Sequence, residues 1–560
     1  MSKYNVKREP VVKETTTHEG GQGFTQRPEA ELIGLLSTGI QNTFYEKESE
    51  RETRLKALVD KLSKTNKLFV AKALVYARSV FGQRTVTHLG AVDLLPHLSG
   101  DELGKRFFTK RDRKANRGGI VYRLDDMAEI LACYMAKNKI KVEDKWTMPR
   151  AMKLGFKAAI EDADTYELAK YQLKGNAVSL VDIVNLVHPV PSKRNGTIKV
   201  SLDEFKKAIA GTKFEKEYDF SQLKADETVM EIPALRALVL GILKQFNTVE
   251  DKNTDAGQEV AELVKSGEVT KEEAEKLLVE KKTENYEELI KTKKIGYLAL
   301  LRNLRNIIKT DNSELLDMAC ELLVNKDFIR KSLVWPHQID LCNEVLQSEF
   351  RPTQLGKVLI ALNTAYERSI PNLKELMPER KTAVVYDSSG SMSTQISLEE
   401  HKRGIASALD KAALIGATFA KGLNADVYTF ANSCRMCTFN PTDSVNTIKK
   451  SILSSAMHGG TVWGTIFPEL LRQGGYERII IISDEQSHDN ALNSYKEYCN
   501  KYGTPYLYIV NICGYGPTVN IKENDKTYRL FGYTQDIYMK ATTAEINIDQ
   551  VIEQINKIEI

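Results

Sequence analysis

The stretch TAVVYDSSGS at residues 382–391 decides the fold of the last third of the chain. Its first six residues form an apolar run that ends in an acid, which is typical of a buried strand, and the serines and glycine that follow favour a tight turn. A second run of this kind, RIIIISD, occupies residues 478–484. Helical patterns alternate with the strands at about residues 397–422, 441–456, 490–502 and 543–558. This alternation predicts a parallel, doubly wound α/β sheet over residues 379–560.

Oxygen-bearing side chains follow three segments that should finish at one edge of this sheet. They are Asp387, Ser389, Ser391, Thr461 and Asp484. Because ligands of such sheets bind at the carboxyl ends of the strands, we expect these side chains to converge. Two carboxylates and three hydroxyls are hard oxygen ligands of the kind that Mg²⁺ or Mn²⁺ takes. The alternative is that the DSSGS loop is only a helix cap and strand turn that holds no ion.

The order DxSxS, then Thr, then Asp resembles the metal-ion-dependent adhesion site of von Willebrand factor A domains, and all five positions match. The resemblance implies a von Willebrand A-like domain over residues 379–560, a divalent metal (Mg²⁺, with Mn²⁺ as the alternative) and a partner carboxylate as the last metal ligand. The chain shows no nucleophile with a base beside it and no GxxxxGK[ST] phosphate loop. We therefore expect a protein that is not an enzyme.

The chain before this domain has a helical pattern almost throughout, from about residue 29 to residue 377. Apolar residues recur at three-to-four spacing in more than ten short segments, with no strand alternation between them. This pattern predicts an α-solenoid of HEAT-like helix pairs. Residues 250–291 are rich in Glu and Lys and favour an exposed helical insertion, and residues 1–22 lack periodicity and favour a disordered arm.

Composition places the chain among ordinary globular proteins. Its 560 residues are 42% hydrophobic and 28% charged, which suits two to four domains. The sequence contains neither an apolar run of membrane-helix length nor a secretory signal. Seven scattered cysteines predict free thiols in a reducing compartment, so we expect a cytoplasmic protein with no membrane association.

The net charge of +4 hides an uneven distribution. Residues 211–291 hold 12 basic and 19 acidic side chains, and residues 381–560 hold 17 and 19, so the rest of the chain carries about +13. Its densest basic stretch contains Lys105, Arg106, Lys110 and Arg111. Such a concentration indicates a surface for a polyanion, although a solvated helix or loop face is the alternative.

Five segments in this context resemble motifs of the TROVE domain of the Ro autoantigen family. They are LIGLLSTGIQNTFY (32–45), FVAKALVYARSVFGQR (69–84), YELAKYQLKGNAVSLVDIVNLVHPVP (166–191), YLALLRNLRNI (297–307) and WPHQIDLCNEVL (335–346). The resemblance covers nearly the whole chain and implies a Ro protein of bacterial or phage type, with a TROVE-like HEAT-repeat domain over residues 23–378.

The resemblance also implies a function. It implies a ring of HEAT-like repeats that the A domain closes. The ring would bind single-stranded 3′ ends of misfolded RNA in its central hole. Y RNA, a small stem-loop RNA, would bind on a basic outer surface, for RNA quality control or scaffolding. A monomer that hands defective RNA to an exoribonuclease fits this pattern. The alternative is a metal-dependent protein-interaction scaffold that uses the A domain, without RNA as its main ligand.

The resemblance places Lys170, Lys174 and His188 in the RNA-contacting helical region, with Arg302 and Arg305 as further candidates. Each has a structural alternative. A histidine before proline between helices often caps a helix or makes a core hydrogen bond, and Arg302 could pair with an acid. The two lysines, four residues apart on one helix face, could be merely solvated.

Overall fold

The fold is seen in a computed structural model of the chain. The structure describes residues 13–560 except 113, 142–145, 172–176, 222–228, 244–256, 258, 262, 267, 293–294, 333, 335, 370–377, 394–406, 523, 525 and 533–547. The chain divides into two compact units. The sheet unit comprises Met1–Leu55 and Lys252–Glu553, and the helical unit comprises Lys56–Asp251 and Gln554–Ile560.

The strands of the described part are short. In chain order they are β1 (Glu14–Thr16), β2 (Gln22–Thr25), β3 (Arg111–Asp112), β4 (Arg117–Gly118), β5 (Thr197–Ser201), β6 (Val229–Pro233), β7 (Thr382–Asp387), β8 (Asp426–Phe430), β9 (Cys434–Met436), β10 (Arg478–Ser483), β11 (Tyr506–Asn511), β12 (Pro517–Val519) and β13 (Thr527–Phe531).

The helices make up most of the chain. Those of the first half are α1 (Pro28–Thr38), α2 (Glu48–Ser79), α3 (Thr85–Leu94), α4 (Glu102–Phe107), α5 (Asp125–Lys137), α6 (Arg150–Glu161), α7 (Thr165–Lys170), α8 (Leu180–Val187), α9 (Leu202–Ile209) and α10 (Ala234–Val239). Those of the second half are α11 (Lys271–Lys291), α12 (Tyr297–Lys309), α13 (Ser313–Leu323), α14 (Lys326–Ser332), α15 (Pro336–Glu349), α16 (Pro352–Ser369), α17 (Ala408–Leu423), α18 (Val445–Leu453), α19 (Ile466–Arg472), α20 (Ala491–Tyr502) and α21 (Ile548–Asn556).

The predicted parallel sheet is present in the C-terminal region. Its strand order is β13-β11-β10-β7-β8-β9, and every neighbouring pair is parallel except β8 and β9. The register sets β10 directly beside β7, with Ile482 opposite Tyr386. The chain runs from β7 to β8 on one side, and β10 then returns to the other side of β7. The gap between the ends of β7 and β10 is therefore the switch point at which such sheets bind ligands.

Helices cover both faces of this sheet, because strand side chains alternate between two apolar cores. Val385 and Ile481 belong to the core that contains Phe467 of α19 and Tyr498 of α20. On the opposite face α17 packs against β7 and β8. Gly416 lies so close there that an added Cβ would be 3.9 Å from the side chains of Val384 and Val427. The doubly wound arrangement expected from the sequence is confirmed.

The first described residues contradict the expectation of a disordered arm over residues 1–22. Strands β1 and β2 form a hairpin, and β2 pairs with β12 to make a three-stranded antiparallel sheet. Residues 1–12 lie outside the described part. The segment lacks hydrophobic periodicity because backbone hydrogen bonds to a distant strand hold it, and such pairing needs no apolar pattern.

The sheet unit extends beyond the boundary expected near residue 379, because helices from before that boundary pack against it. Helix α16 packs on α18, and Lys449 of α18 forms a buried ion pair with Asp340 of α15 at 3.1 Å. The expected exposed insertion is also only partly exposed. In α11 Tyr286 is buried, and its hydroxyl donates a hydrogen bond to Asn303 at 3.0 Å.

The helical unit is built from neighbouring helices, with α3 packed on α5, α4 on α6 and α6 on α8. It also contains a small hairpin, β3–β4, and a two-stranded antiparallel sheet, β5–β6, where the sequence analysis indicated no strands. The strands β3 and β4 have two residues each, too few to show an alternating pattern, whereas the alternation of TIKVS in β5 was overlooked. Among the described helices, none has both the length and the apolar character needed to cross a membrane.

A buried arginine ties the start of the sheet unit to its centre. The Arg51 guanidinium donates hydrogen bonds to the carbonyls of Gly39 (3.1 Å) and Cys513 (3.0 Å) and to the Thr38 hydroxyl (2.7 Å). It also forms an ion pair with Glu46 at 3.1 Å. Arg51 is fully buried and supplies a donor to the carbonyls of Gly39 and Cys513, whereas Glu46 also pairs with Arg54 at 2.8 Å.

Replacing Arg51 should therefore destabilise the sheet unit strongly. We expect Arg51→Met to lower the free energy of unfolding by about 3–5 kcal/mol, because it leaves the carbonyls of Gly39 and Cys513 without this donor and takes one of two arginine partners from Glu46. Urea unfolding followed by circular dichroism measures this. The matched control is Arg435→Met, which removes an exposed arginine with one hydrogen bond to the Ser455 carbonyl, and we expect a loss below about 1 kcal/mol. Equal losses in the two variants would show that the buried network does not hold the unit.

Candidate metal centre and candidate nucleic-acid interface

The two predicted acidic ligands lie at the switch point of the sheet. Asp387 is the last residue of β7, and Asp484 follows β10 directly. Both are fully buried. The Ser389 backbone N–H donates to Asp387 Oδ1 at 2.8 Å, and the Ser483 hydroxyl donates to Asp387 Oδ2 at 2.6 Å. The backbone of the turn thus fixes the carboxylate of Asp387.

The three predicted hydroxyls are buried at the same edge. Ser389 Oγ and Ser391 Oγ are 3.2 Å apart, and Ser391 lies in a 3₁₀ turn over Gly390–Ser393. The loop that carries Thr461 is joined to this turn by a hydrogen bond from the Gly390 N–H to the Gly459 carbonyl at 2.9 Å. The carbonyl of Thr461 also accepts a hydrogen bond from the backbone N–H of the residue at position 488, at 2.8 Å. All five predicted residues therefore come together.

The electrostatics of this edge fit a bound cation. Burial raises the pKa of Asp387, and burial together with the neighbouring Asp387 charge raises the pKa of Asp484. One carboxylate oxygen of Asp484, Oδ2, is buried and has no hydrogen-bond partner among the described residues. A divalent ion with oxygen ligands would neutralise both acids and satisfy this oxygen. The donor set thus fits Mg²⁺ or Mn²⁺.

A second group of potential ligands does not fit a metal. His88, Asp126 and Glu129 bring one ligand atom each to within 4.8 Å of one another. However, Arg78 contacts Asp126 at 2.9 Å, and Arg84 also contacts Glu129. Burial lowers the pKa of His88, but hydrogen bonds to the two acids outweigh it and the net pKa is raised. Two arginines already pair with these carboxylates and His88 contacts both, so we assign the group as an ion-pair and hydrogen-bond network.

Lys170, predicted to contact RNA, lies in a cluster of cations and aromatic rings in the helical unit. Its ammonium is 5.5 Å from the ring centre of Tyr166 and 5.4 Å from that of Tyr171. The guanidinium of Arg123 also lies over the Tyr171 ring, 5.1 Å from its centre. Lys170 and Tyr166 are exposed. We call Arg123, Tyr166, Lys170 and Tyr171 the cationic–aromatic cluster.

The basic stretch near residue 110 adjoins this cluster. Lys110 forms an ion pair with Glu167 of α7, the helix that carries Lys170. Lys105 and Arg106 are exposed, and Lys105 pairs with Glu102 at 2.7 Å. Lys105 and Arg106 thus lie on the surface, as a phosphate contact requires, whereas the Lys110 side chain is only 14% exposed.

Arg111 does not fit the prediction that it binds RNA. It is buried, and its guanidinium donates to the carbonyls of Gly118 (2.7 Å), Glu559 (2.9 Å) and Asn116 (2.7 Å). Because backbone acceptors use these donors, Arg111 holds the β3–β4 hairpin and the last residues of the chain together. We therefore correct its assignment to a structural residue.

The remaining RNA candidates that the structure describes belong to both units. His188 is exposed and ends α8 in a left-handed conformation (φ 50°), so its backbone has the capping role given as the alternative. Lys174 lies outside the described residues. Arg302 and Arg305 are exposed on α12 of the sheet unit, and Arg305 pairs with Glu349 at 3.0 Å.

The sequence analysis missed Tyr166 and Tyr171 as candidate site residues. The signal was present in TYELAKY at residues 165–171, where tyrosines stand four residues before and one residue after Lys170. Exposed aromatics beside cations are the groups on which single-stranded bases stack.

Comparison with known proteins agrees with these observations. The TROVE domain model matches residues 25–415. The crystal structure of the Ro (RSR) protein of Deinococcus radiodurans is similar, with a TM-score of 0.54 at 14% identity over 93% of this chain and 100% of that one. An aerotolerance-related membrane protein of Bacteroides fragilis is matched over 32% of this chain and 97% of its own at 17% identity, but its TM-score of 0.20 is too low to support an argument. No curated protein sequence matches significantly.

The TROVE match covers more than half of the chain, and the chain therefore belongs to the TROVE domain family of Ro proteins. The sequence resemblance to this family is confirmed. The structural likeness extends over 93% of the chain, so the helix-rich fold with its C-terminal sheet resembles that of this Ro protein.

The raised pKa of Asp484 predicts a pH-dependent stability in the metal-free protein. Burial raises the pKa of Asp484 to about 8 in the native state, whereas the unfolded state loses this proton near pH 4. The free energy of unfolding therefore falls as the pH rises from about 4 to about 8. We expect Asp484→Asn to raise the melting temperature in chelator at pH 8 and to raise it progressively less towards pH 5. The exposed control Glu497→Gln should show no such trend. A pH-independent effect of Asp484→Asn would contradict the electrostatic account.

Proposed function

We propose that this chain is a noncoding-RNA-binding protein of the Ro type and not an enzyme. Membership of the TROVE family carries the proposal, and the cationic–aromatic cluster supports it. Exposed cations such as Lys170 neutralise phosphates and release counterions, while Tyr166 offers a face on which an unpaired base stacks. Neither contact requires a particular base sequence, which suits a protein that sorts RNA by shape and by its free ends.

We place two kinds of RNA on the helical part of the protein. Single-stranded 3′ ends of misfolded RNA occupy the central hole of a ring of HEAT-like repeats, and Y-like small RNA binds the basic outer surface. A duplex is recognised there through backbone charge and shape rather than base edges. The protein acts as a monomer in RNA quality control or scaffolding and passes defective RNA to an exoribonuclease. Its seven free thiols support a reducing, cytoplasmic setting.

We further propose that the α/β region is a von Willebrand A-like domain with a Mg²⁺ site, for which Mn²⁺ can substitute. Asp387, Ser389, Ser391, Thr461 and Asp484 hold the ion. The bound metal supplies a Lewis acid that binds a carboxylate of a protein ligand. The buried acids and the unpartnered Asp484 oxygen support this assignment.

The buried acids and the unpartnered Asp484 oxygen also favour a second candidate function. If this metal site is the principal binding site, the protein is a metal-dependent protein-interaction scaffold for which RNA is not the main ligand. The two functions are distinguished by whether chelation or salt releases the natural partner, because phosphate contacts are salt-sensitive and metal contacts are chelator-sensitive.

Charge reversal in the cationic–aromatic cluster should weaken RNA binding. We expect Lys170→Glu to reduce the affinity for a stem-loop RNA with a single-stranded 3′ tail. The slope of log K against log salt is negative, and we expect its magnitude to fall by about 1. Tyr166→Ala should cost about 1–3 kcal/mol on single-stranded RNA through lost stacking. Filter binding at several salt concentrations measures both. The control is Lys276→Glu, an exposed lysine of the acidic helix α11, and an equal loss there would refute a specific surface.

The metal site and the RNA site should be separable. We expect Asp387→Ala to abolish Mg²⁺ binding, measured by titration calorimetry, because it removes one of only two carboxylate ligands. RNA affinity should stay within a few-fold of the wild-type value. A large loss of RNA binding in a variant whose circular dichroism is unchanged would show that the two sites are coupled.

A further inference from the structure

The arginine of the cationic–aromatic cluster depends on a buried carboxylate for its position. Arg123 lies just before α5, with its side chain 37% exposed and its guanidinium 5.1 Å from the centre of the Tyr171 ring. The backbone N–H groups of Tyr122 and Arg123 both donate to Asp126 Oδ2, at 2.9 Å each. One carboxylate oxygen therefore fixes the backbone that carries this arginine.

Two cationic side chains from other helices hold Asp126 in turn. Asp126 is fully buried. The Arg78 guanidinium of α2 donates to Asp126 Oδ1 at 2.9 Å and lies 5.1 Å from the centre of the Tyr122 ring. His88 of α3 places its Nε2 atom 3.2 Å from the same carboxylate oxygen. Asp126 thus connects α2, α3 and α5 to the backbone of Arg123.

The contacts of His88 indicate its protonation state. Its Nε2 atom faces Asp126, and its Nδ1 atom lies 3.0 Å from Glu129 Oε2. Ionised carboxylates only accept hydrogen bonds, so both ring nitrogens are satisfied only when both carry a hydrogen, which makes the ring a cation. Among the described residues, the other charged groups around these two acids are Arg78 and Arg84, which favour the ionised form of both carboxylates.

This arrangement depends on the proton that His88 holds. Burial lowers the pKa of His88, but the hydrogen bonds to Asp126 and Glu129 outweigh it and raise the pKa above the ordinary value of 6.5. The stabilisation is complete below this ordinary value and is lost as the pH rises through the raised pKa of the native state. Loss of the proton leaves a nitrogen lone pair opposite a carboxylate oxygen in a buried site, so one of the two acids loses a donor.

We propose that His88 is a positioning residue for RNA binding, which in its protonated form holds Asp126 and, through it, the backbone of Arg123. RNA affinity then falls as the pH rises through the range in which His88 loses its proton. The inference rests on the RNA-binding role proposed above for the cationic–aromatic cluster. It adds a pH dependence that the lysine and arginine contacts themselves lack, because those side chains stay charged well above neutral pH.

Binding of a single-stranded oligouridylate, whose bases and phosphodiester groups do not titrate near neutral pH, tests this inference. At about pH 6 we expect His88→Gln to weaken binding about fivefold, because a neutral amide does not replace a cation that donates to both acids. Wild-type affinity should fall towards that of the variant as the pH rises, whereas the affinity of the variant should stay constant. Filter binding at constant ionic strength measures both, and circular dichroism verifies that the variant is folded.

Two further variants separate positioning from a general structural role. The matched control is His97→Gln, which breaks another histidine–carboxylate pair of the helical unit, with Asp60 at 2.8 Å, and should keep the wild-type affinity and pH profile. In an Arg123→Ala background, His88→Gln should cost little further affinity, because the group through which it acts is already gone. An equal cost in both backgrounds, or a wild-type pH profile in His88→Gln, would overturn the inference.

Nitrogen-15 NMR of labelled histidines observes the ring directly, since the chain contains only eight histidines. At pH 6.5, where an ordinary histidine is half protonated, the signals that are absent from His88→Gln should have the shifts of a mainly doubly protonated ring. A His88 ring that is half protonated or less would refute this inference and leave the RNA-binding proposal intact. No oligouridylate binding by the wild-type chain would refute both together.

Discussion

Two carboxylates buried side by side are the constraint on which the ligand-binding edge of the sheet depends. Asp387 and Asp484 stand at the ends of adjacent parallel strands, and both are fully buried from solvent. Among the described residues, no cationic side chain forms a hydrogen bond or ion pair with either acid, so nothing there offsets the cost of burying two like charges. Hydroxyl and backbone N–H donors satisfy three of the four carboxylate oxygens, and Asp484 Oδ2 is left. A cation at this point is the simplest arrangement that satisfies all four, which is why we place a metal there.

The two proposed sites belong to different units. The acids of the proposed metal site belong to the sheet unit, while the cationic–aromatic cluster belongs to the helical unit. A net charge of only +4 is therefore compatible with a strongly basic surface. This division lets the two proposed ligands, a polyanion and a carboxylate-bearing protein, bind without competing for the same side chains.

The sequence could predict what depends on apolar pattern and local spacing. The strands at 382–387 and 478–483, their order of occurrence with helices and the convergence of five oxygen-bearing residues followed from buried runs that end in acids. Features set by long-range backbone pairing were missed, such as the N-terminal hairpin and β13, because such contacts leave no periodic signal. Arg111 was misassigned for a related reason, since a count of basic residues does not show which guanidinium is buried on carbonyls.

The most direct test of the account is to purify the protein from its own cells and sequence the nucleic acid that accompanies it. Parallel samples are washed with high salt or with chelator at constant ionic strength. We predict one or a few abundant, structured small RNAs that salt releases and chelator does not. Absence of RNA, with a stoichiometric protein partner that chelator removes, would contradict the central claim that this is an RNA-binding protein of the Ro type.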